Sequence, residues 1–226
     1  MSNAKSCELW CVDLGAAAAA LSAIESHTPR LVPADHHRAA AIADSRTRAE
    51  WLATHIALRL VIEHAVGASW RGVAFVRDAG GKPRLPGAPI TFSLSHAPGV
   101  ALLGVSRRGW IGVDVERQRT VRIDAIRKQR IRDAGDAIGT APLPAPEEAA
   151  FLQAWVRLEA YAKAEACGVG RLLTQLGIFG PGARQASASV DTRTRAATLL
   201  AAVPGRGIHD LQLGAGIFAA VACADG

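Results

Sequence analysis

Asp114 and Glu116 stand two apart in the run Gly112-Val113-Asp114-Val115-Glu116, and in a strand such residues project from one face. The alternate positions Ile111, Val113 and Val115 are apolar and suit a core. Two carboxylates side by side repel. A hard divalent cation is the usual reason to hold them together, and magnesium combines carboxylate oxygens with substrate phosphates and water. On spacing alone, a solvent-facing strand edge with Arg117 as salt-bridge partner is the commoner arrangement. Glu159 and Lys163 lie four apart, so a helix sets a third carboxylate and a cation on one face. In isolation they form an ordinary ion pair worth about 0.3 kcal/mol. The loop Gly80-Gly81-Lys82-Pro83 offers glycines that let backbone approach a ligand and a lysine as point charge for phosphate. Ser95-His96, just before Pro98-Gly99, adds a hydroxyl and an imidazole at a loop mouth, where a lone histidine is more often structural than functional. Three carboxylates with neighbouring lysines make up the composition that a metal-pyrophosphate site requires.

The elements that must position these groups are legible in outline. Residues 8–14 read as a strand, and the alanine run 16–20 opens a helix that ends before Pro29. Pro33-Ala34-Asp35 can start another. Arg46–Val66 is the clearest helix of the first half, with Gly67 as its stop. Val73–Val76 reads as a strand before the turn-rich stretch 78–83. Three strand-like pieces follow, Ile90–Leu94, Val100–Val105 and Trp110–Glu116, separated by turn-like residues 96–99 and 106–109. An antiparallel meander is the simplest topology for them. Residues 117–146 carry a weak pattern, as a linker or mobile loop would. Glu147–Cys167 is a helix closed by Gly168, with Phe151, Trp155, Leu158 and Ala162 as its core stripe. Beyond Pro181, the segments 188–190, 198–203, 208–213 and 217–223 read as short strands. Element order thus predicts an α+β fold of two similar halves, 1–116 and 117–226, although no close internal repeat is visible.

Composition narrows the function classes. The chain has 226 residues, half apolar and a fifth charged, as soluble globular proteins do. It has no apolar run of the ~18 residues that span a bilayer. The N-terminus lacks the basic start and apolar stretch of a signal peptide, which predicts a cytoplasmic location. A net charge of +6 favours acidic partners. Zinc-finger spacing and long basic runs are absent and aromatics are only 5%, so nucleic-acid binding is not expected. Cys7, Cys11, Cys167 and Cys223 lack metal-site spacing and read as buried, reduced thiols. Only four of the 26 basic residues are lysines, Lys5, Lys82, Lys128 and Lys163. So sparing a use suggests sites that need a compact charge.

The order Gly-Lys-Pro, Ser-His, Gly-Val-Asp-Val-Glu and Trp155-x-x-x-Glu159-Ala160-x-x-Lys163 resembles the Sfp-type 4′-phosphopantetheinyl transferases. The motifs run from Gly81 to Lys163, and two of the four lysines fall on them. The resemblance implies a pseudo-dimeric α+β fold with the active site between two halves of one monomeric chain. It implies that coenzyme A and magnesium bind there, and that an acidic apo acyl or peptidyl carrier protein is the partner. By motif position Asp114, Glu116 and Glu159 look like the magnesium shell, and Lys163 like the pyrophosphate-neutralising lysine. Lys82 and His96, with Ser95 beside them, look like coenzyme phosphate contacts. Arg46 is placed similarly to an arginine that meets the nucleotide 3′-phosphate. Glu159 and Lys163 are then the catalytic pair, Glu159 as general base. One departure is Leu158, where the family commonly has lysine; the chain must then do without that lysine or use Arg157. The alternatives are a non-catalytic coenzyme A-binding protein with a decayed site and a basic nucleic-acid-binding module.

Overall fold

The computed structural model describes residues 7–180, 192–201 and 205–224. Strand β1 (Cys7–Asp13) runs directly into α1 (Leu14–His27), because the Asp13 carboxylate accepts from the Ala16 amide at 3.0 Å and caps the helix. α2 (Pro33–Ala40) starts on a proline, and α3 (Ser45–Val66) is capped by Asp44, which accepts from the Thr47 amide at 2.7 Å. A two-residue ribbon, β2 (Val76–Arg77) with β3 (Pro83–Arg84), carries the Gly80–Lys82 loop at its tip. β4 (Thr91–Ala97) and β5 (Val100–Ser106) form a hairpin, and β1 pairs antiparallel with β5 on its other side. This first sheet has the order β1-β5-β4.

β6 (Ile111–Arg117) does not continue that hairpin as a meander would. It pairs antiparallel with β8 (Ile217–Ala224), which also pairs with β7 (Arg206–Asp210), so a second sheet has the order β6-β8-β7. The strand on which the unit 1–116 would end therefore belongs to the second sheet. Between β6 and β7 lie α4 (Ala125–Ile138), α5 (Glu147–Ala164), α6 (Val169–Gln175) and α7 (Thr192–Ala201).

Several expectations change. The stretch 117–146 is not a linker throughout: Asp124 caps α4 by accepting from the Arg127 amide, and Ile131, Ala134 and Ile138 bury one face of it. Residues 198–201 are helical in α7, not a strand, and α6 was not foreseen. Positions 188–190 and 202–203 of the expected strands lie outside the described residues. The strand expected at 73–76 is reduced to Val76–Arg77. Of the four thiols only Cys223 is buried, while Cys11 is exposed.

Packing runs helix, sheet, sheet, helix. α1 and α3 lie on the first sheet through Leu58, Phe92 and Leu103. The two sheets share the cluster of Val100, Leu102, Val113, Val115 and Val221. α4 to α7 cover the outer side of the second sheet around Leu152, Leu158 and Ala220. β6 is consequently covered on both sides: its valines face the first sheet, and Gly112 and Asp114 face α5. A side chain at Gly112 would collide with the Ala160 carbonyl and the Ala164 amide, so glycine is what lets the strand approach the helix. Among the described residues no helix is long and apolar enough to cross a membrane.

Candidate functional site

β4 and β6 are edge strands of their sheets, and they meet. Their exposed backbone groups are met by side chains instead of a ladder. The Ser93 hydroxyl accepts from the Val113 amide at 3.0 Å, and the Lys82 ammonium donates to the Ile111 carbonyl at 2.7 Å. Two residues further along β4 and one residue beyond Val113 on β6, the Ser95 hydroxyl donates to Asp114 Oδ1 at 2.6 Å. Lys163, from the last turn of α5, donates to the same oxygen at 2.6 Å. Asp114 is only 3% exposed, and its other oxygen, Oδ2, is buried without a hydrogen-bond partner. Asp114 is therefore no solvent-facing edge residue.

Such an oxygen is costly. Burial pushes the Asp114 carboxyl above the usual carboxylate range, Lys163 and Ser95 pull it down, and Glu116 pushes it further up. Glu159, one turn before Lys163 and 3.8 Å from its ammonium, behaves in the same way. Burial raises its carboxyl first and the Asp114 charge second, with Glu116 adding to them. A hydrogen bond from the Trp155 indole and the Lys163 charge oppose the rise. Glu116 is gripped by Arg119 through two bonds, of 2.9 and 3.1 Å. Three carboxylates thus press on one another from β6 and α5, with Lys163 and Arg119 as their cations. Among the described residues no group of three metal-binding side chains converges closely enough to hold an ion as it stands; Lys163 and Arg119 take the oxygens an ion would use. The donor set is all oxygen, which suits magnesium, and Asp114 Oδ2 is a buried lone-pair donor with nothing to bind.

Beside the cluster lies a cleft of about 260 Å³, lined by Gly81, Lys82, Ser93, Glu159, Lys163 and Ala166 among others. Burial pushes the Lys82 ammonium down to about 8, against the pull of Asp78 and Glu165. Gly80 serves packing, whereas Gly81, at φ +84° with open space beside it, lines the cleft. A side chain on Gly80 would overlap the Ala166 carbonyl at the end of α5, so the loop is seated on that helix.

No protein-family model matches the chain, and no curated protein matches it.

Ser95, Asp114, Glu159 and Lys163 are brought together, with Glu116 beside them and Lys82 across the cleft. Ser95 is engaged by Asp114 and does not stand open for a phosphate. His96 is next in the strand and so projects from its other face. There burial pushes its imidazole down, and it feels Glu50 and Lys163. Arg46 lies outside the cluster on the first turn of α3, its side chain 79% exposed and paired with Glu50 at 3.2 Å. Arg157 is no substitute for a lysine at position 158. It is fully buried, with bonds to Asp210, Gly135 and Ala141. Leu158 is core, at 1% exposure. Two positions went unread in the sequence, Ser93 and Arg119, and Gly112 was read only as part of the Gly-Val-Asp-Val-Glu motif. A glycine inside a strand, two residues before a carboxylate, was a signal of close backbone approach; Ser93 and Arg119 carried none.

Proposed function

We propose that the chain is a 4′-phosphopantetheinyl transferase. It moves the phosphopantetheine arm of coenzyme A onto a serine of an apo acyl or peptidyl carrier protein. The observation that carries this is Asp114, a buried carboxylate with one unpartnered oxygen, beside Glu116, Glu159 and Lys163 where the two sheets meet. The strand orders β1-β5-β4 and β6-β8-β7, all antiparallel, with α3 outside one sheet and α5 outside the other, support a pseudo-dimeric arrangement with the site between its halves.

Asp114, Glu116 and Glu159 would hold magnesium, which when bound supplies Lewis acidity to pyrophosphate oxygens. The chain's own groups do the rest. Lys163 reaches the cluster from α5 and places a positive charge where the departing phosphate gathers negative charge. Lys82 supplies a second charge from the loop rim, with His96 and Arg46 farther out toward the nucleotide. Glu159, whose carboxyl is held above its ordinary range, takes the proton of the serine hydroxyl. The serine oxygen–phosphorus bond forms, the bond from that phosphorus to the bridging oxygen breaks, and adenosine 3′,5′-bisphosphate leaves. The net charge of +6 suits an acidic carrier protein.

Mass spectrometry of an apo carrier protein incubated with the chain, coenzyme A and magnesium tests the reading. One added arm per carrier, lost on chelation, is expected; no addition across fatty-acid, polyketide and peptide carriers overturns it. Glu159→Gln should lose transfer but still bind coenzyme A, and wild-type turnover in that variant removes Glu159 as the base.

A further inference from the structure

Resting on the metal-pyrophosphate reading above, we propose that Arg119 is the resident counter-cation of the carboxylate cluster, displaced from Glu116 by the divalent ion and thereby delivered to the phosphate. Its guanidinium holds both oxygens of Glu116 in a fork, at 2.9 and 3.1 Å. Its contacts are to Glu116, with Asp114 and Glu159 within its electrostatic reach. Lys163 and Arg119 together leave the three carboxylates with one excess negative charge. A divalent ion leaves the cluster with one excess positive charge while Arg119 stays, and neutral once Glu116 turns to the ion and the guanidinium leaves. The exchange is cheap on the arginine side. Arg119 lies just beyond the end of β6, where the Gln118 amide is pinned to the Gly216 carbonyl at 2.8 Å, and its side chain is 50% exposed. An exposed ion pair of this kind is weakly held, and once free the fork matches a phosphate bidentately.

The buried arginines differ in kind. Arg59 is tied to Asp35 and Arg157 to Asp210, both deep in packed structure, and neither can exchange partners. Arg117, two residues away, is turned to the Pro98 carbonyl and serves as an internal control of equal charge.

The test uses the full chain, with Mn²⁺ as the spectroscopic ion and inorganic pyrophosphate as the phosphate probe. Arg119→Gln should bind Mn²⁺ about two- to five-fold more tightly than wild type, because Glu116 no longer has to be vacated. It should also bind pyrophosphate, at saturating Mn²⁺, about ten-fold more weakly, because the freed fork is missing. Arg119→Lys should fall between on both measures, and Arg117→Gln should match wild type on both. Equal or weaker Mn²⁺ binding by Arg119→Gln, an equal shift in Arg117→Gln, or unchanged pyrophosphate affinity each overturns the exchange while leaving the transferase reading intact. Failure of wild type to bind Mn²⁺ overturns both.

Discussion

Replacing Asp114 with asparagine separates a metal site from a structural ion pair. Asparagine is nearly isosteric, and its carbonyl can keep both bonds now made to Oδ1, from Ser95 and Lys163. What disappears is the buried charge. Lys163 is 28% exposed along its side chain, so its ammonium can turn to water when the charge goes. Desolvation of the carboxylate and its attraction to Lys163 nearly cancel in such a pair, and the orphaned Oδ2 tilts the balance against the charged form. In chelator, therefore, Asp114→Asn should stay within about 1 kcal/mol of wild type, roughly 2–4 °C in melting temperature for a chain of this length. The sign with pH follows from the raised carboxyl. The folded state binds its proton more tightly than the unfolded state, so this contribution is fully present below about pH 4. It is lost as pH rises through the folded-state value, and the variant should lack that loss. Magnesium should then divide the two proteins. At a hundredfold excess over its dissociation constant it stabilises wild type by about 2.7 kcal/mol, and it should do nothing for the variant, which should also have no transferase activity. Melting curves in chelator and in magnesium, repeated across pH, give the stability readouts, and the carrier-protein assay gives the activity. If the variant loses the 3–5 kcal/mol typical of a broken buried pair and magnesium leaves wild type unmoved, the cluster is structural and the reasoning fails.

Three further outcomes follow from other contacts. Gly112→Ala should cost about 1–3 kcal/mol by forcing β6 off α5, and transfer should fall with it; Gly170→Ala, where open space awaits the methyl, should be neutral by the same melting and transfer assays. His55 stacks on Trp51 at 3.5 Å, bonds to its carbonyl, and is pushed down to about 4 by burial. The unfolded chain therefore takes up that proton first, so urea midpoints should fall as pH drops from about 6.5 to 4, by at most about 3 kcal/mol in stability, with His55→Gln flattening the curve. Lys82 is cationic only below about 8, so the KM for coenzyme A should rise as pH passes that value; Lys82→Met should raise it about ten-fold at pH 7, and Lys82→Arg should remove the inflection.

How much of this was legible in the sequence depended on whether the signal was local. α3 and α5 were readable because their lengths, caps and apolar spacing are properties of contiguous residues. The hairpin β4–β5 was readable for the same reason, although the turn expected at 96–99 is only residues 98–99 and Ser95 and His96 lie within β4, not at a loop mouth. The partner of β6 was not, because it is β8, a hundred residues later, and turn chemistry at 106–109 does not say whether the chain returns to the same sheet. α4 hid because its buried face is small and interrupted, Ile131, Ala134 and Ile138 among arginines. Residues 198–201 misled because so short an apolar run, opened by a β-branched threonine, does not by its periodicity tell strand from helix; in α7, Thr192 and Ala196 sit at helical spacing against the core. The site showed the same division. Asp114, Glu159 and Lys163 were visible as types at a spacing, whereas the Ser95–Asp114 bond and the orphaned oxygen depend on two edge strands meeting.

Position 158 shows what that meeting supplies. The family that the motifs resemble commonly sets a lysine beside the motif glutamate, and here that place is leucine, sealed in the core against α4 and the second sheet. Arg157 cannot stand in for it, since its guanidinium is consumed by Asp210 and two carbonyls. A helix that buries both of these positions can offer the cluster only Lys163. The second cation at the carboxylates comes instead from the segment after β6, where Arg119 meets Glu116 from the solvent side. A charge brought in on an exposed loop residue can leave when a metal ion arrives, which a lysine clamped on α5 beside Glu159 would do less readily. On this argument the leucine is compatible with activity because the charge the site needs has another source, and restoring a lysine at 158 should destabilise the core without raising turnover.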